Sequence, residues 1–399
     1  MRRLLFSVTA LFLVGCGDEF VAPTDAGNEG APPITGGGGD GGADADSGGD
    51  AFVAPPARMF ASLFNPSGPA ALVAWDDPDA IKAPRTPDVT IPLSDAKGVV
   101  AATKKRVFVA GGTNLYIFDS PLMLTSTSTP KTIDKSAFLV APVDTINVST
   151  LMYEPTLDIL VTADDSAGAI ETFKSASTMT IGTTASAKFG TANEGLLHPL
   201  LTSTGILFGG TSGAMASRTY YWEGAQNATG NIAAGPFLFG SGALEFGAPG
   251  LFVATADVGS GGAAVYLYQT PLVPQKVAAY ELRSAFGPPN QSDLATAAVL
   301  SNNYLAVAVW LKNGSGSFLC ILSSPTTLTA SSACSNKITI DGGALVFRVM
   351  ERKGSLFVGV ASDTSSRLEI YRNPLSDAKP TVSLDVGTGK IVSGLSVAE

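Results

Sequence analysis

The sequence predicts an all-β chain: a seven-bladed β-propeller closed by its C-terminal strand and preceded by a disordered N-terminal tether. Three observations predict this fold. The 399 residues include 44 glycines and only 15% charged residues, a composition typical of short strands joined by tight turns. An aromatic residue followed by proline recurs along the chain. The first and last repeats are incomplete in complementary ways.

The recurring pair marks seven units about 43 to 55 residues apart. Most units keep an aromatic residue followed three positions later by proline, and the others replace one member of the pair. In chain order the pairs are Trp75/Pro78, Phe118/Pro121, Phe173/Ala176, Trp222/Ala225, Tyr268/Pro271, Leu322/Pro325 and Tyr371/Pro374. Because stacked units share one continuous core, the repeats predict a single domain over residues 57–399.

Each unit is predicted to contain four strands, and the second unit is the plainest. Its predicted strands are 98–102, 106–110, 115–118 and 131–133. The two middle strands are nearly continuous apolar runs, as expected when both faces of a sheet are covered. The last strand mixes polar and apolar residues, which is typical of an outer edge.

The two ends of the repeat region predict how the ring closes. The first unit begins at its second strand, 59–64, with no strand before it. The seventh unit finishes near Asp385, yet the apolar stretch 390–397 remains. We expect that stretch to supply the missing strand of the first unit and so remove the open sheet edge. The alternatives are six or eight blades, or another all-β arrangement.

Units such as Arg106–Ala110 followed by 115–118 resemble the NHL-like and YVTN-type β-propellers of bacterial surface proteins. The likeness is one of pattern and spans most of residues 58–399. Such propellers include binding modules, scaffolds and a few enzymes, so the resemblance implies the fold and not the function.

Residues 1–16 have the features of a targeting segment. Arg2 and Arg3 precede a short apolar run that ends in Leu13-Val14-Gly15-Cys16, too short to span a bilayer as a mature helix. This ending resembles the lipobox of bacterial lipoproteins, which implies a lipid anchor on Cys16. An ordinary secretory signal is the alternative. Gly17 stands where that family carries aspartate for inner-membrane retention, so the resemblance implies the outer membrane or the cell surface.

Residues 17–56 are predicted to be a disordered Gly/Asp/Ala-rich linker. They contain acidic side chains but no lysine or arginine, and they lack the apolar residues needed to offset chain entropy. The linker therefore carries much of the chain's net charge of −9. Since nothing in the remainder is basic enough to follow phosphates, we expect no nucleic-acid partner. The domain is expected to be a monomer.

Cys320 and Cys334 are candidates for a disulfide. They lie in or beside neighbouring strands of the sixth unit, and an exported protein meets oxidising conditions. Two free buried thiols are the alternative. The chain has one histidine, His198, which we interpret as structural, and a multi-histidine metal site is excluded.

Carboxylates recur just before several predicted inner strands. They are Asp95, Asp144, Glu194, Asp293 and Asp341. In a propeller these positions would line one mouth of the central channel, where they would concentrate cations such as calcium or a basic peptide. The alternative is that aspartate is common in turns that precede strands. We expect no obligatory cofactor.

The sequence contains no catalytic motif that predicts a reaction. The leading hypothesis is a lipid-anchored, extracytoplasmic, non-catalytic propeller that binds a protein or glycan partner. The alternative is a surface hydrolase or lyase that uses carboxylates such as Asp144 and Glu194 at the channel mouth. The recurring aromatic residues are interpreted as wedges between blades rather than as a ligand belt.

Overall fold

The fold is seen in a computed structural model of the 399-residue chain. It describes residues 53–65, 70–93, 99–110, 114–134, 148–154, 157–164, 169–189, 196–201, 205–210, 218–224, 238–239, 244–246, 251–257, 263–269, 279–282, 284–287, 292–311, 315–362 and 364–399. Within these ranges, no helix is long and apolar enough to span a bilayer. Cys16, Asp95, Asp144 and Glu194 lie outside the described residues.

The described residues form 28 strands and six short 3-10 turns. The strands of the first half are β1 (Arg58–Phe64), β2 (Ala70–Asp76), β3 (Val89–Leu93), β4 (Val99–Ala102), β5 (Arg106–Ala110), β6 (Asn114–Asp119), β7 (Lys131–Asp134), β8 (Val148–Glu154), β9 (Ile159–Asp164), β10 (Ala169–Lys174), β11 (Ala187–Phe189), β12 (Leu196–Leu201), β13 (Gly205–Gly210) and β14 (Arg218–Glu223). Those of the second half are β15 (Leu238–Phe239), β16 (Leu244–Phe246), β17 (Leu251–Asp257), β18 (Ala263–Gln269), β19 (Ala279–Leu282), β20 (Ser292–Leu300), β21 (Tyr304–Leu311), β22 (Ser317–Ser323), β23 (Asn336–Thr339), β24 (Leu345–Arg352), β25 (Ser355–Ala361), β26 (Ser366–Tyr371), β27 (Val382–Asp385) and β28 (Ile391–Ala398).

These strands pair into seven four-stranded antiparallel sheets within the described residues. Sheet 1 has the order β28-β1-β2-β3, and sheets 2 to 7 take the remaining strands four at a time in chain order. We name the strands of each sheet A to D in that order. Strand A of each sheet contacts strand A of the next, from β28 through β4, β8, β12, β16, β20 and β24, and β24 contacts β28.

Burial along the strands follows from this arrangement. Every residue of β5 and β25, which are B strands, is buried. At the D position, β3 alternates between buried and exposed residues, and β7 buries only Ile133. A strand with neighbours on both sides and sheets on both faces has no solvent-facing side. The strand positions predicted for the second unit agree with β4 to β7 to within about two residues.

The C-terminal strand β28 is the A strand of sheet 1. It pairs antiparallel with β1, so that Met59 lies opposite Val397. Gly394 marks the point where β28 packs tightly against the next sheet. A Cβ atom there would lie 2.6 Å from the backbone nitrogen of Val100 and 2.7 Å from the Ser62 hydroxyl. Only glycine fits at such a separation.

Neighbouring sheets pack face to face through shared apolar clusters. Phe60 of sheet 1 and Val107 of sheet 2 belong to one cluster, and Phe357 of sheet 7 and Trp75 of sheet 1 belong to another. Further clusters join sheets 2 and 3, 5 and 6, and 6 and 7. Trp75, Phe118, Phe173 and Tyr371 lie in these layers, and they and Trp222 are at most 3% exposed. Their burial supports the interpretation as wedges.

In four units, the residue two positions after the recurring aromatic or leucine residue opens the C–D turn. Asp77, Ser120, Ser175 and Ser324 adopt left-handed φ angles of 45° to 55°, and a 3-10 turn follows each of them. Proline or alanine occupies the first position of that turn, where proline's fixed φ and missing N–H are tolerated. The aromatic-to-proline spacing therefore reports how strand C ends.

Four polar side chains connect one sheet to the C–D turn of the next. Each donates hydrogen bonds of 2.8 to 3.1 Å to two carbonyl oxygens three residues apart. They are Arg58 on Pro121 and Leu124, Arg106 on Ala176 and Met179, Asn336 on Pro374 and Asp377, and Arg372 on Pro78 and Ile81. These bridges fix the C–D turns of sheets 7, 1, 2 and 3 along one face.

Candidate functional site

Asp341 is the one member of the predicted carboxylate set whose side chain is described. Asp95, Asp144 and Glu194 lie outside the described residues, and Asp293 is placed in β20 without a described side chain. Asp341 opens the 3-10 turn Asp341–Gly343, which leads from β23 of sheet 6 into β24 of sheet 7. Its side chain is exposed.

Asp341 lines a groove between sheets 6 and 7. The groove has a volume of about 570 Å³. Sheet 6 and its connecting turn contribute Lys337, Thr339, Asp341 and Gly342, while sheet 7 contributes Arg367, Glu369, Tyr371, Ala378, Lys379, Pro380 and Ser383. The walls thus combine three cationic side chains, two carboxylates and a phenol, which is a lining suited to polar and charged ligand groups.

Glu369 is the buried acid of this groove. Alternation along β26 puts Arg367, Glu369 and Tyr371 on one face of the sheet. Arg367 Nε donates to Glu369 Oε1 at 2.6 Å, and the Tyr371 hydroxyl donates to Glu369 Oε2 at 2.7 Å. The glutamate side chain is 4% exposed and the arginine side chain 19% exposed. Burying a carboxylate is costly unless it is hydrogen-bonded, and here both oxygens have donors.

The surroundings of Tyr371 keep its phenol protonated. Burial, followed by the charge of Glu369 and their hydrogen bond, raises the pKa of Tyr371 far above its ordinary value. Tyr371 is therefore a fixed hydrogen-bond donor rather than an acid or base. Arg367 also donates to the carbonyl oxygen of Asp341 at 3.4 Å, which ties the wall of sheet 7 to the turn from sheet 6.

Lysines complete the cationic part of the lining. Lys337 lies on the outer strand β23, with Nζ 4.1 Å from the centre of the Phe318 ring. A cation over an aromatic face is attracted to the electron-rich face of the ring. Lys379 precedes β27 on the opposite wall and is exposed. The groove can therefore offer charged donors and a carboxylate acceptor to one ligand.

Sequence reasoning missed Arg367 and Glu369. The available signal was an acid inside a predicted middle strand, where both faces are covered and an unpaired charge is costly. Glu171 is the matched case in sheet 3: it precedes Phe173 by two residues, as Glu369 precedes Tyr371, and it is 2% exposed. The groove itself depends on how sheet 6 faces sheet 7, which no local pattern encodes.

The two cysteines and the histidine that the sequence singled out do not line this groove. Cys320 lies on β22 and Cys334 just before β23, and the structure joins them by a disulfide with Cα atoms 5.2 Å apart. His198 falls on β12, where its side chain is not described. Within the described ranges, no three histidine, cysteine, aspartate or glutamate side chains come together as a metal site would require.

Comparisons with known proteins identify no family. No family model matches the chain, and no curated protein matches it. Among solved structures, the WD40 domain of Toxoplasma gondii coronin matches with 14% identity and a TM-score of 0.48, over 84% of this chain and 78% of that one. Apo AztD from Citrobacter koseri matches with 9% identity and a TM-score of 0.47, over 86% and 98%. Kluyveromyces lactis Hsv2p matches with 9% identity and a TM-score of 0.44, over 72% and 76%.

Matches at these TM-scores assign neither a fold nor a function to the chain. The chain itself has the features of a propeller: four-stranded antiparallel sheets, apolar clusters between successive sheets, and A strands that contact one another in series. This strand pairing and packing, rather than any single relative, identify the chain as a β-propeller protein.

Proposed function

We propose that the chain is a lipid-anchored, extracytoplasmic β-propeller of seven blades that binds a protein or glycan partner as a non-catalytic module. Seven four-stranded sheets in the described residues support the blade number. Closure of the ring by β28 is supported by its pairing with β1 and by the contact of β24 with β28. A closed ring leaves no A-strand edge open to pair with other chains.

The groove between sheets 6 and 7 carries the proposal of binding. Its one decisive feature is the buried Glu369 carboxylate, held between Arg367 and Tyr371 and open to the groove. Donors and acceptors of both charges suit the hydroxyls of a glycan or the backbone and side chains of a peptide, and the hydrogen bonds among Arg367, Glu369 and Tyr371 preorganise part of the lining.

The lipid anchor is proposed from the lipobox-like sequence that ends at Cys16. The acidic linker that begins at Gly17 would connect this anchor to the propeller domain. A flexible chain of about 40 residues has an end-to-end distance of roughly 35 Å. The proposed location is the outer membrane or the cell surface, and the proposed form is a monomer. Replacing Cys16 by serine should abolish incorporation of a radiolabelled fatty acid; labelling of the serine variant would contradict the anchor.

Binding at the groove is tested with a matched pair of variants. Glu369→Gln keeps the size of the side chain and removes its charge, and Glu171→Gln makes the same change at the equivalent position of sheet 3. An array of bacterial surface glycans and photo-crosslinking in intact cells would report the partner. We expect Glu369→Gln to weaken binding by at least about tenfold, since charged hydrogen bonds are the strong ones, and Glu171→Gln to leave it unchanged. Equal binding by the wild type and both variants would contradict the groove as the site.

A further inference from the structure

Five large apolar side chains are exposed among the described residues, and all five belong to one face of the molecule. Their exposed fractions run from 39% to 86%. They are Val53, Met123, Leu157, Ile181 and Leu375. Val53 precedes β1, Leu157 lies between β8 and β9, and the other three lie between C and D strands. Scattered exposed apolar residues are ordinary, but a concentration on one face indicates a contact surface.

The A–B turns and C–D turns form this face because consecutive antiparallel strands reverse direction. Backbone bonds join the two kinds of turn within a sheet: Ser120 N donates to Lys105 O at 2.9 Å, and Ala176 N donates to Asp158 O at 3.0 Å. Asp77 N donates in the same way to Ala57 O at 2.9 Å, just before β1. The bridges from Arg58, Arg106, Asn336 and Arg372 join one sheet to the next along it. We call this surface the turn face.

The chain enters the domain through the turn face. Residue 53 is the first that the structure describes, and the hydrogen bond from Asp77 fixes Ala57 beside the C–D turn of sheet 1. The linker and Cys16 precede that point in the sequence. A tether from Cys16 therefore joins the domain at this face, whereas the B–C and D–A connections lie on the opposite one.

The charges of the turn face suit an anionic surface. Lys104 and Lys105 are exposed in the A–B turn of sheet 2, beside the C–D turn that carries Met123, and Lys174 is exposed where strand C of sheet 3 ends. The carboxylates of this face also have partners. Asp76 pairs with Arg58, Asp119 with Arg106 and Lys131, and both Asp79 and Glu399 with Arg352, while Ser177 and Tyr153 bond to Asp158. Asp77 adds a half-buried carboxylate to the C–D turn of sheet 1. Exposed lysines beside apolar tips are the combination that interfacial membrane proteins use.

We propose that the turn face docks on the lipid bilayer to which the chain is anchored, with Met123, Ile181 and Val53 inserted among the headgroups and Lys104 and Lys105 against anionic phosphates. This inference rests on the proposed lipid anchor. Docking would present the opposite face to the surroundings and set the groove between sheets 6 and 7 on the side of the disc. The anchor supplies the high local concentration, so that a weak insertion suffices.

Tryptophan quenching tests the docking. The full chain, lipidated on Cys16, is reconstituted in vesicles of phosphatidylethanolamine and phosphatidylglycerol with brominated acyl chains. Ile181→Trp places the probe on the turn face, and Thr388→Trp places it on an exposed connection between β27 and β28 on the opposite face. The native tryptophans are common to both variants. We expect quenching of the Ile181→Trp probe to exceed that of the Thr388→Trp probe by at least about twofold.

The outcomes separate this inference from the anchor. Vesicle flotation that is equal for the wild-type and Cys16→Ser chains would contradict the anchor. Equal quenching of the two probes in the vesicle-bound protein would overturn the docking and leave the anchor standing. If the turn face binds a protein partner instead of the bilayer, brominated lipid would not reach the Ile181→Trp probe. The two probes would then be quenched equally. Phosphatidylcholine vesicles should give weaker quenching of the Ile181→Trp probe, since they remove the anionic headgroups.

Discussion

Arg106 provides the sharpest test of how the sheets are joined. The residue is 7% exposed, and its Nη1 donates at 2.9 Å to the carbonyl oxygens of both Ala176 and Met179 in the next sheet. Its Nε lies 2.8 Å from Asp119 Oδ1. Arg106→Met keeps an apolar stem of similar length and removes the guanidinium. The Met179 carbonyl then loses its donor from Arg106, the Ala176 carbonyl keeps only the Met179 backbone N–H at 3.3 Å, and Asp119 keeps Lys131 as a partner.

The expected loss follows from these contacts. Hydrogen bonds to charged groups contribute about 1.5 to 3 kcal/mol each, and desolvation of the guanidinium offsets part of that sum. We expect Arg106→Met to lower the free energy of unfolding by about 3 kcal/mol, which for a domain of this size is a drop in Tm of about 4 °C.

Thermal unfolding followed by circular dichroism measures the effect. Lys105→Met is the matched control, because Lys105 is the exposed neighbour in the same turn. Such a surface substitution should change the stability by no more than about 0.5 kcal/mol. Arg106→Met and Lys105→Met proteins with the same Tm would refute the reasoning, because the bridge between sheets 2 and 3 would then contribute nothing.

Two further predictions concern the region where sheets 7, 1 and 2 meet. Gly394→Ala should cost at least about 3 kcal/mol, since its Cβ would collide with the Val100 backbone; a Tm unchanged from wild type would contradict that contact. Burial opposes ionisation of Asp79, but hydrogen bonds from Arg352 and Lys353 outweigh it and lower its pKa. A lowered pKa stabilises above the ordinary value, and that stability is lost as the pH falls through the folded-state pKa. Acidification from about pH 5 to about pH 3 should thus cost the wild type more stability than Asp79→Asn, in urea titrations at each pH.

Local sequence patterns predicted the strands because the order of polar and apolar residues in a strand matches the burial of its side chains. The alternation in β3 and the continuous apolar run of β5 are visible in the sequence. The apolar stretch that became β28 was recognisable because nothing near it in the chain completes a sheet. The pairing of β28 with β1 follows from the same count of strands.

Contacts between sheets were not predictable in the same way. The bridging guanidinium comes from strand B at Arg58 and Arg106, but in sheet 7 Ser355 occupies that position and Arg372, opposite it in the register, supplies the group. Each of these sheets places a guanidinium donor against the C–D turn of the next sheet. The residue that supplies the donor differs in its position along the repeat. The groove around Glu369 was missed for the same reason.

The central claim is that β28 closes the ring, and a cross-link between Ser62 and Ser393 tests it most directly. Their hydroxyl oxygens lie 3.3 Å apart although 331 positions separate them in the chain. With both residues changed to cysteine, oxidation should form an intramolecular disulfide, which non-reducing mass spectrometry of the digest would detect as a joined peptide pair. Closing so long a loop should also raise the stability by about 6 kcal/mol in the chain-entropy model. Two free thiols after oxidation, or only intermolecular dimers, would contradict the closed propeller.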